Sequence, residues 1–204
     1  MDTLTAIETR RSVRGFEKRK VPKTKIKKIL EAAALAPSSK NSQPWCFHVI
    51  ENKKMIEKIG KLLGNSENIS AEPSDPKTGK IRDGFASSVN ASGIIIEKAP
   101  LVIIIENSCP FSHNRAEVMN SKYPNAINGH DSEVLSLGAC LQNISLAVHA
   151  LDLGTVIIAD VVSEEQKLKK LLKVKGDIVA AMPIGFPAYR PAPKKPEMNC
   201  VKYF

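Results

Sequence analysis

Residues 134–151, VLSLGACLQNISLAVHAL, decide the architecture. Val134, Leu137, Leu141, Ile144, Val148 and Leu151 recur at 3-4-3-4-3 spacing, which is one stripe of a helix. Leu135, Cys140, Leu146 and Ala147 fill its other faces, so the predicted helix is apolar nearly all round. Such a helix is buried, either centrally or in a subunit interface. A chain of 204 residues builds about one core, and one small sheet leaves this helix under-covered. The pattern therefore predicts a homodimer with this helix at the interface. Gly154 ends it, as a C-terminal glycine does.

Outward from this helix, helical and strand periods alternate imperfectly. Residues 2–10 read as a short helix. Pro22 stands where a first helical residue tolerates the loss of its N–H, and Ile26, Ile29, Leu30 and Ala33 continue as one stripe up to Pro37. WCFHVI (45–50) reads as a strand, 53–63 as a helix, 65–80 as a polar loop and 85–97 as a helix. LVIII (101–105) is a continuous apolar run, the mark of a strand buried on both faces. Residues 107–130 show no clear period and read as a lid or a variable insertion. TVIIADV (155–161) reads as a strand or strand-like loop, and Ser163 with Gln166 forms a capping-box pair for a helix through about residue 173. IVAAMPI (178–184) reads as the last strand, with Pro183 predicting its end or a sheet edge. Residues 187–204 read as an extended arm. The expectation is a single α+β domain over 1–204, a three-layer α/β/α arrangement around a mostly antiparallel sheet.

Composition narrows the function classes. No run is long and apolar enough for a membrane span, and the N-terminus lacks the pattern of a secretory signal, so a cytoplasmic protein is expected. Cys46, Cys109, Cys140 and Cys200 form no CxxC pair, and the four histidines show no HxxxH or HExxH spacing; no metal site is expected. The formal net charge is +9, but the lysines are spread over polar helix faces and aromatic residues are few. That distribution favours a soluble enzyme with an anionic ligand over a nucleic-acid binder.

Two segments carry chemistry. Arg10-Arg11-Ser12-Val13-Arg14 places three guanidiniums and a hydroxyl within five residues. Planar guanidiniums suit bidentate contact with phosphate, each such bond contributing about 1.5–3 kcal/mol; a basic surface turn is the other reading. The second segment is Ala36-Pro37-Ser38-Ser39-Lys40-Asn41-Ser42-Gln43-Pro44-Trp45. Its Ser, Asn and Gln side chains mix donors and acceptors as a planar heterocycle with polar substituents requires, although a plain helix-to-strand loop would read alike.

Together these segments resemble the nitroreductase family. RRSVRGF (10–16) is similar to its RRSxRxF segment, and PSSKNSQPWCFHV (37–49) to its PSSxNxQPWxFxV segment. GACLQNISLAVHALDLGT (138–155) and IGFPAYRPAPKKP (184–196) resemble the family's long helix and its tail. The resemblance implies FMN at a dimer interface, reduced by NADH or NADPH at its N5 and reoxidised by a nitroaromatic, quinone or similar acceptor in ping-pong fashion. It implies that Arg10, Arg11, Ser12 and Arg14 meet phosphate and ribityl. It implies that Pro37, Ser38, Ser39, Asn41 and Gln43 contact flavin, partly across the interface. It implies that the backbone of Ile157, Ile158, Ala159 and Asp160 lies by the N5 edge, and that Lys194 and Lys195 close on the phosphate. No catalytic side chain and no metal ligand is implied. Lysine stands in the tail where the family carries arginine, and Ala159-Asp160 stands where many relatives have glycine or glutamate. Three other readings stay open: a flavin-fragmenting or dehalogenating relative, a non-catalytic flavin-binding protein, and a basic nucleic-acid-binding module, which would be colourless and salt-sensitive.

Overall fold

The computed structural model describes residues 1–64, 85–112, 115–120, 124–192, 196 and 201–202. The expected loop at 65–80 lies outside these residues. So do Lys194, Lys195 and much of the expected C-terminal arm.

The run LVIII lies in β2 (Leu101–Asn107), which is buried along its whole length. Alternate side chains of a strand point to opposite faces, so an unbroken apolar run requires cover on both. Leu101, Ile103 and Ile105 pack on α2 (Lys23–Ala34) and α6 (Pro124–Ala150). Val102 and Ile104 pack on α3 (Lys53–Gly64), α4 (Phe85–Lys98) and α7 (Glu165–Leu172). The result is the expected helix–sheet–helix layering. β1 (Trp45–Ile50), β3 (Gly154–Thr155) and β4 (Asp177–Gly185) complete an antiparallel sheet of order β1-β2-β4-β3. No helix among the described residues is long and apolar enough to cross a membrane.

Three local expectations need correction. Residues 107–130 are not irregular throughout: they hold α5 (Arg115–Asn120) and the first turns of α6. The Ser163–Gln166 capping box does not form; Ser163 Oγ donates to the Asp160 carbonyl at 2.8 Å within a 3-10 turn, Asp160–Glu164, that leads into α7. Pro183 neither ends β4 nor lies on an edge strand. Ala181 exchanges both backbone bonds with Ile158, and β3 pairs only with Ile184 and Gly185. Pro183 falls in the gap between these pairings, where its missing N–H breaks no ladder. TVIIADV takes the second of its two readings, a strand-like loop: Thr155 ends β3 and Ile158 makes a single bridge to Ala181.

α6 is covered on one side only. Leu137, Cys140, Leu141, Ile144 and Val148 enter the core, while Val134 and Leu135 remain 45% and 76% exposed. Gly138 lies on the same open side, where a Cβ would meet nothing within 4 Å.

Candidate functional site

The segment after α1 (Thr3–Thr9) is sewn to two distant stretches. Ser12 pairs with Thr155, Val13 N donates to Thr155 O at 2.9 Å, Phe16 pairs with Pro187, and Ala188 N donates to Gly15 O at 3.0 Å. The close approach requires a glycine at 154, because a Cβ there would lie 2.7 Å from Val13 Cβ. Residues 10–16, 154–158 and 184–190 thereby lie side by side.

A positive cluster results. Arg190 Nη1 stands 3.2 Å from His149 Nδ1, and the Arg10 and Arg11 charges are felt at the same imidazole. The tautomer follows from the bonds. Thr9 Oγ1 donates to the Thr5 carbonyl at 2.5 Å, so His149 Nε2, 2.8 Å away, must carry the proton and donate to Thr9. Nδ1 is then left to accept from Arg190. Burial first, then Arg190 and Arg10, push the His149 pKa below the ordinary histidine value, in agreement with a neutral ring. The Arg10 guanidinium has no hydrogen-bond partner among the described residues, although the Arg10 backbone is bonded to Ala6 and Arg11. Arg11 is occupied: its guanidinium donates to the carbonyls of Glu8, Arg10 and Ala192. Arg14 is exposed and, among the described residues, its guanidinium reaches only the Ser12 carbonyl, at 3.4 Å. Arg10 and Arg190 thus gather at one imidazole, a charge arrangement suited to a dianion, with Arg11 holding the neighbouring backbone and Arg14 following on the same segment.

The second segment lies elsewhere. Lys40, Asn41 and Gln43 all adopt positive φ (51°, 54° and 45°), though none is glycine. Such residues cost of order 1–3 kcal/mol each unless the surroundings impose the conformation. Here Ser38 Oγ accepts from Gln43 N at 3.0 Å, Gln43 Nε2 donates to Asn41 Oδ1 at 3.3 Å, and Ser39 N donates to Ser136 Oγ at 3.2 Å. An open groove of about 280 Å³ runs between Pro37, Ser38 and Ser39 on one side and Ser132, Leu135 and Ser136 on the other. A larger concavity of about 990 Å³, beside Phe16, Ile56 and Pro100, contains none of the predicted site residues, and its rim of lysines and glutamates nearly cancels in charge.

One chain does not bring the two segments together. Ser136 holds the polar loop and His149 holds Arg190, thirteen positions further along α6. At 1.5 Å per residue that is roughly 20 Å.

The third predicted group is dispersed in role. Ile158 is buried and bonded through its backbone to Ala181; Asp160 accepts from Ser92 Oγ at 2.6 Å; Ile157 and Ala159 are exposed. Two buried hydroxyl oxygens, Thr155 Oγ1 and Ser42 Oγ, lack a hydrogen-bond partner in the described structure. A buried polar group left so costs about 1–3 kcal/mol, which a bound polar ligand would offset.

Sequence reasoning missed Arg190 and His149. Arg190 stands inside the quoted IGFPAYRP stretch, and His149 is a histidine on an otherwise apolar helix; both signals were available. It also missed Glu133, a fully buried carboxylate that gathers Asn107 Nδ2, Phe111 N, Ser112 N and Ser112 Oγ at 2.6–3.0 Å. Glu133 fastens residues 107–112 to α6, and Lys40 Nζ lies 5.6 Å over the Phe111 ring, joining that loop to the polar segment.

Comparison with known proteins gives the family and the fold. The sequence profile of the nitroreductase family matches residues 7–186. A Methanothermobacter thermautotrophicus protein provisionally named NADH dehydrogenase/NAD(P)H nitroreductase is 30% identical over 94% of this chain and 80% of its own length. The FMN reductase [NAD(P)H] of Bacillus subtilis is 26% identical over 97% of this chain and 70% of its own. A crystal structure of a provisionally named Desulfovibrio desulfuricans nitroreductase in complex with FMN has the same fold, with a TM-score of 0.69, 23% identity and coverage of 100% of this chain and 99% of that one.

Proposed function

The chain belongs to the nitroreductase family, and from that premise we propose that it is an FMN-dependent oxidoreductase, driven by NADH or NADPH and working as a homodimer. The observation that carries the reading is a pair of half-sites set apart along α6, a polar left-handed loop at its middle and an arginine pocket at its C-terminal end. A gap of roughly 20 Å is longer than the ribityl chain that links a flavin ring to its phosphate. A two-fold axis that runs one α6 against its copy sets the arginines of one chain beside the polar loop of the other. Leu135, Val134 and the uncrowded Gly138 supply an apolar face on which helices can approach closely.

The residues present fit the cofactor. Arg10, Arg14 and Arg190 offer guanidiniums to a phosphate, and Lys194 and Lys195 are assigned to close over it. Neutral His149 keeps Arg190 oriented. Ser12 and the orphaned Thr155 hydroxyl suit ribityl hydroxyls. The side chains of Ser38, Ser39, Asn41 and Gln43, beside Pro37, suit the heteroatoms of the ring. The backbone of 157–160 is assigned to its N5 side. When bound, FMN supplies the hydride chemistry, accepting from the nicotinamide and delivering to a nitroaromatic, quinone or similar acceptor. The chain's own contribution is binding, orientation and electrostatic support, so no catalytic side chain is assigned. Donor and acceptor share one place and react in ping-pong order. Residues 107–130, of which 107–112 are fastened through Glu133, are assigned as the lid on the acceptor side; a deletion that left acceptor preference unchanged would refute that role.

The experiment is the visible spectrum of the purified protein before and after anaerobic NAD(P)H. Flavin bands that bleach support the reading. Bound flavin that no nicotinamide reduces would make the chain a non-catalytic binder. A colourless protein that takes up no added FMN would move the basic nucleic-acid module to first place.

A further inference from the structure

The sheet face turned away from α6 carries a second group of reactive side chains. Trp45 and Phe47 pack towards α6, so Cys46 and His48, alternating with them on β1, share the opposite face. Glu106 of β2 stands directly across from Cys46 in the antiparallel register. His48 Nε2 lies 2.6 Å from Glu106 Oε2, and the sulfur, the ring nitrogen and the carboxylate oxygen all lie within 4.8 Å of one another.

The carboxylate is held in one orientation. Glu106 is buried, and its Oε1 accepts from Gly176 N at 2.5 Å and Lys175 N at 3.2 Å, which leaves Oε2 for His48. The approach of residue 176 requires glycine, since a Cβ there would lie 1.9 Å from the Asn107 carbonyl oxygen. Burial raises the Glu106 pKa, but the Gly176 N–H and His48 outweigh it and hold the carboxyl below the ordinary range, hence ionised. Cys46 is exposed at the sheet edge. Burial of its sulfur and the nearby Glu106 raise its pKa, so the free thiol keeps its proton until an ion displaces it.

An ion pair that pins β1 to β2 would need only His48 and Glu106. A sulfur on the same face, and a carboxylate oriented by two outer N–H donors, are what a metal centre requires in addition. We propose that Cys46, His48 and Glu106 bind one divalent transition-metal ion, zinc by preference, with solvent in the fourth tetrahedral position. Thiolate, imidazole and carboxylate together suit zinc, and three protein ligands with an open position make a usable zinc site. Entry of the ion requires the His48–Glu106 contact to widen to roughly 3.3 Å, a side-chain adjustment. The sequence spacing that carries this site is Cys-x-His on a strand, a two-residue period that helical metal motifs do not contain. The proposal does not depend on the flavin.

The test is titration of the full-length, chelator-treated protein with Co²⁺, with bound flavin left in place. The expected result is a single equivalent per chain, with a thiolate-to-metal charge-transfer band and tetrahedral d–d bands at longer wavelength than oxidised flavin absorbs, all displaced by Zn²⁺. Cys46→Ser, at an exposed position, removes the charge-transfer band, and His48→Gln abolishes stoichiometric binding. Wild-type protein without thiolate bands, or bands that persist in Cys46→Ser, would overturn the site. Neither outcome bears on whether NAD(P)H bleaches the flavin.

Discussion

His149 makes the anion pocket sensitive to a single proton. Its ring donates to Thr9 and accepts from Arg190, an arrangement that only the neutral form satisfies. Its pKa is lowered in the fold, by burial and then by Arg190 and Arg10, so between the folded and unfolded values the unfolded chain binds the extra proton. Stability therefore rises with pH across that window. The contribution is present above the unfolded value, about 6.5, and is lost as pH falls through the folded one. Urea midpoints of the wild type should fall on acidification through this range, and His149→Gln should remove that part of the slope. A histidine resonance that titrates at or above the ordinary value would refute the assignment. The arginines divide similarly by what they already hold. Arg10→Ala removes a charge-assisted phosphate contact of about 1.5–3 kcal/mol, so FMN should bind roughly 10- to 150-fold more weakly. Arg11→Ala, whose guanidinium is occupied by Glu8, Arg10 and Ala192, should lower the melting temperature more than the FMN affinity. Equal losses of affinity in the two variants would contradict this division. Fluorescence titration of FMN into both variants decides it.

The elements that were legible in the sequence are those whose period is enforced by cover on both sides. Ile26–Ile29–Ala33, Ile56–Ile59–Leu63 and the run 101–105 read correctly because each points into a core that tolerates no polar substitute. The start of α6 was not legible, because Pro124, Asn125, Asn128 and Gly129 carry the composition of a loop. The left-handed residues at 40, 41 and 43 were not legible either, since no glycine marks them and long-range bonds such as Ser39 to Ser136 impose them. The same limit hid Glu133, whose four donors come from residues 107–112. Replacing it by alanine leaves those buried donors without an acceptor, at about 1–3 kcal/mol for each one that stays unsatisfied. Glu133→Ala should therefore unfold several degrees below the wild type and expose 107–112 to proteolysis. Glu133→Gln, which keeps the oxygen facing the two N–H groups, should recover part of the loss. A Glu133→Ala protein as stable and as resistant as the wild type would mean that the loop is held by other contacts.

At the scale of the whole molecule, the open side of α6 and the distance between the two half-sites along it make one statement. A net charge of +9 works against self-association at long range, so the face must repay it at contact, and Leu135 is the most exposed of its large apolar side chains. Leu135→Asp should yield a monomer by sedimentation that no longer retains FMN, because each half-site then lacks its complement. The sharper consequence concerns two dead variants. Arg10→Glu spoils the phosphate half of every site, and Asn41→Ala with Gln43→Ala spoils the ring half. Each homodimer then carries two defective sites. In a heterodimer of the two variants, a shared site combines either both lesions or neither, so one of its two sites is intact. Co-expression at equal levels should pair chains at random and restore roughly a quarter of the wild-type flavin content and NAD(P)H oxidation. If both halves of the site came from the same chain, every chain would carry a lesion and mixing would restore nothing. Recovery in the mixture, with neither parent active alone, is thus an outcome that only a site built across the two-fold axis can give.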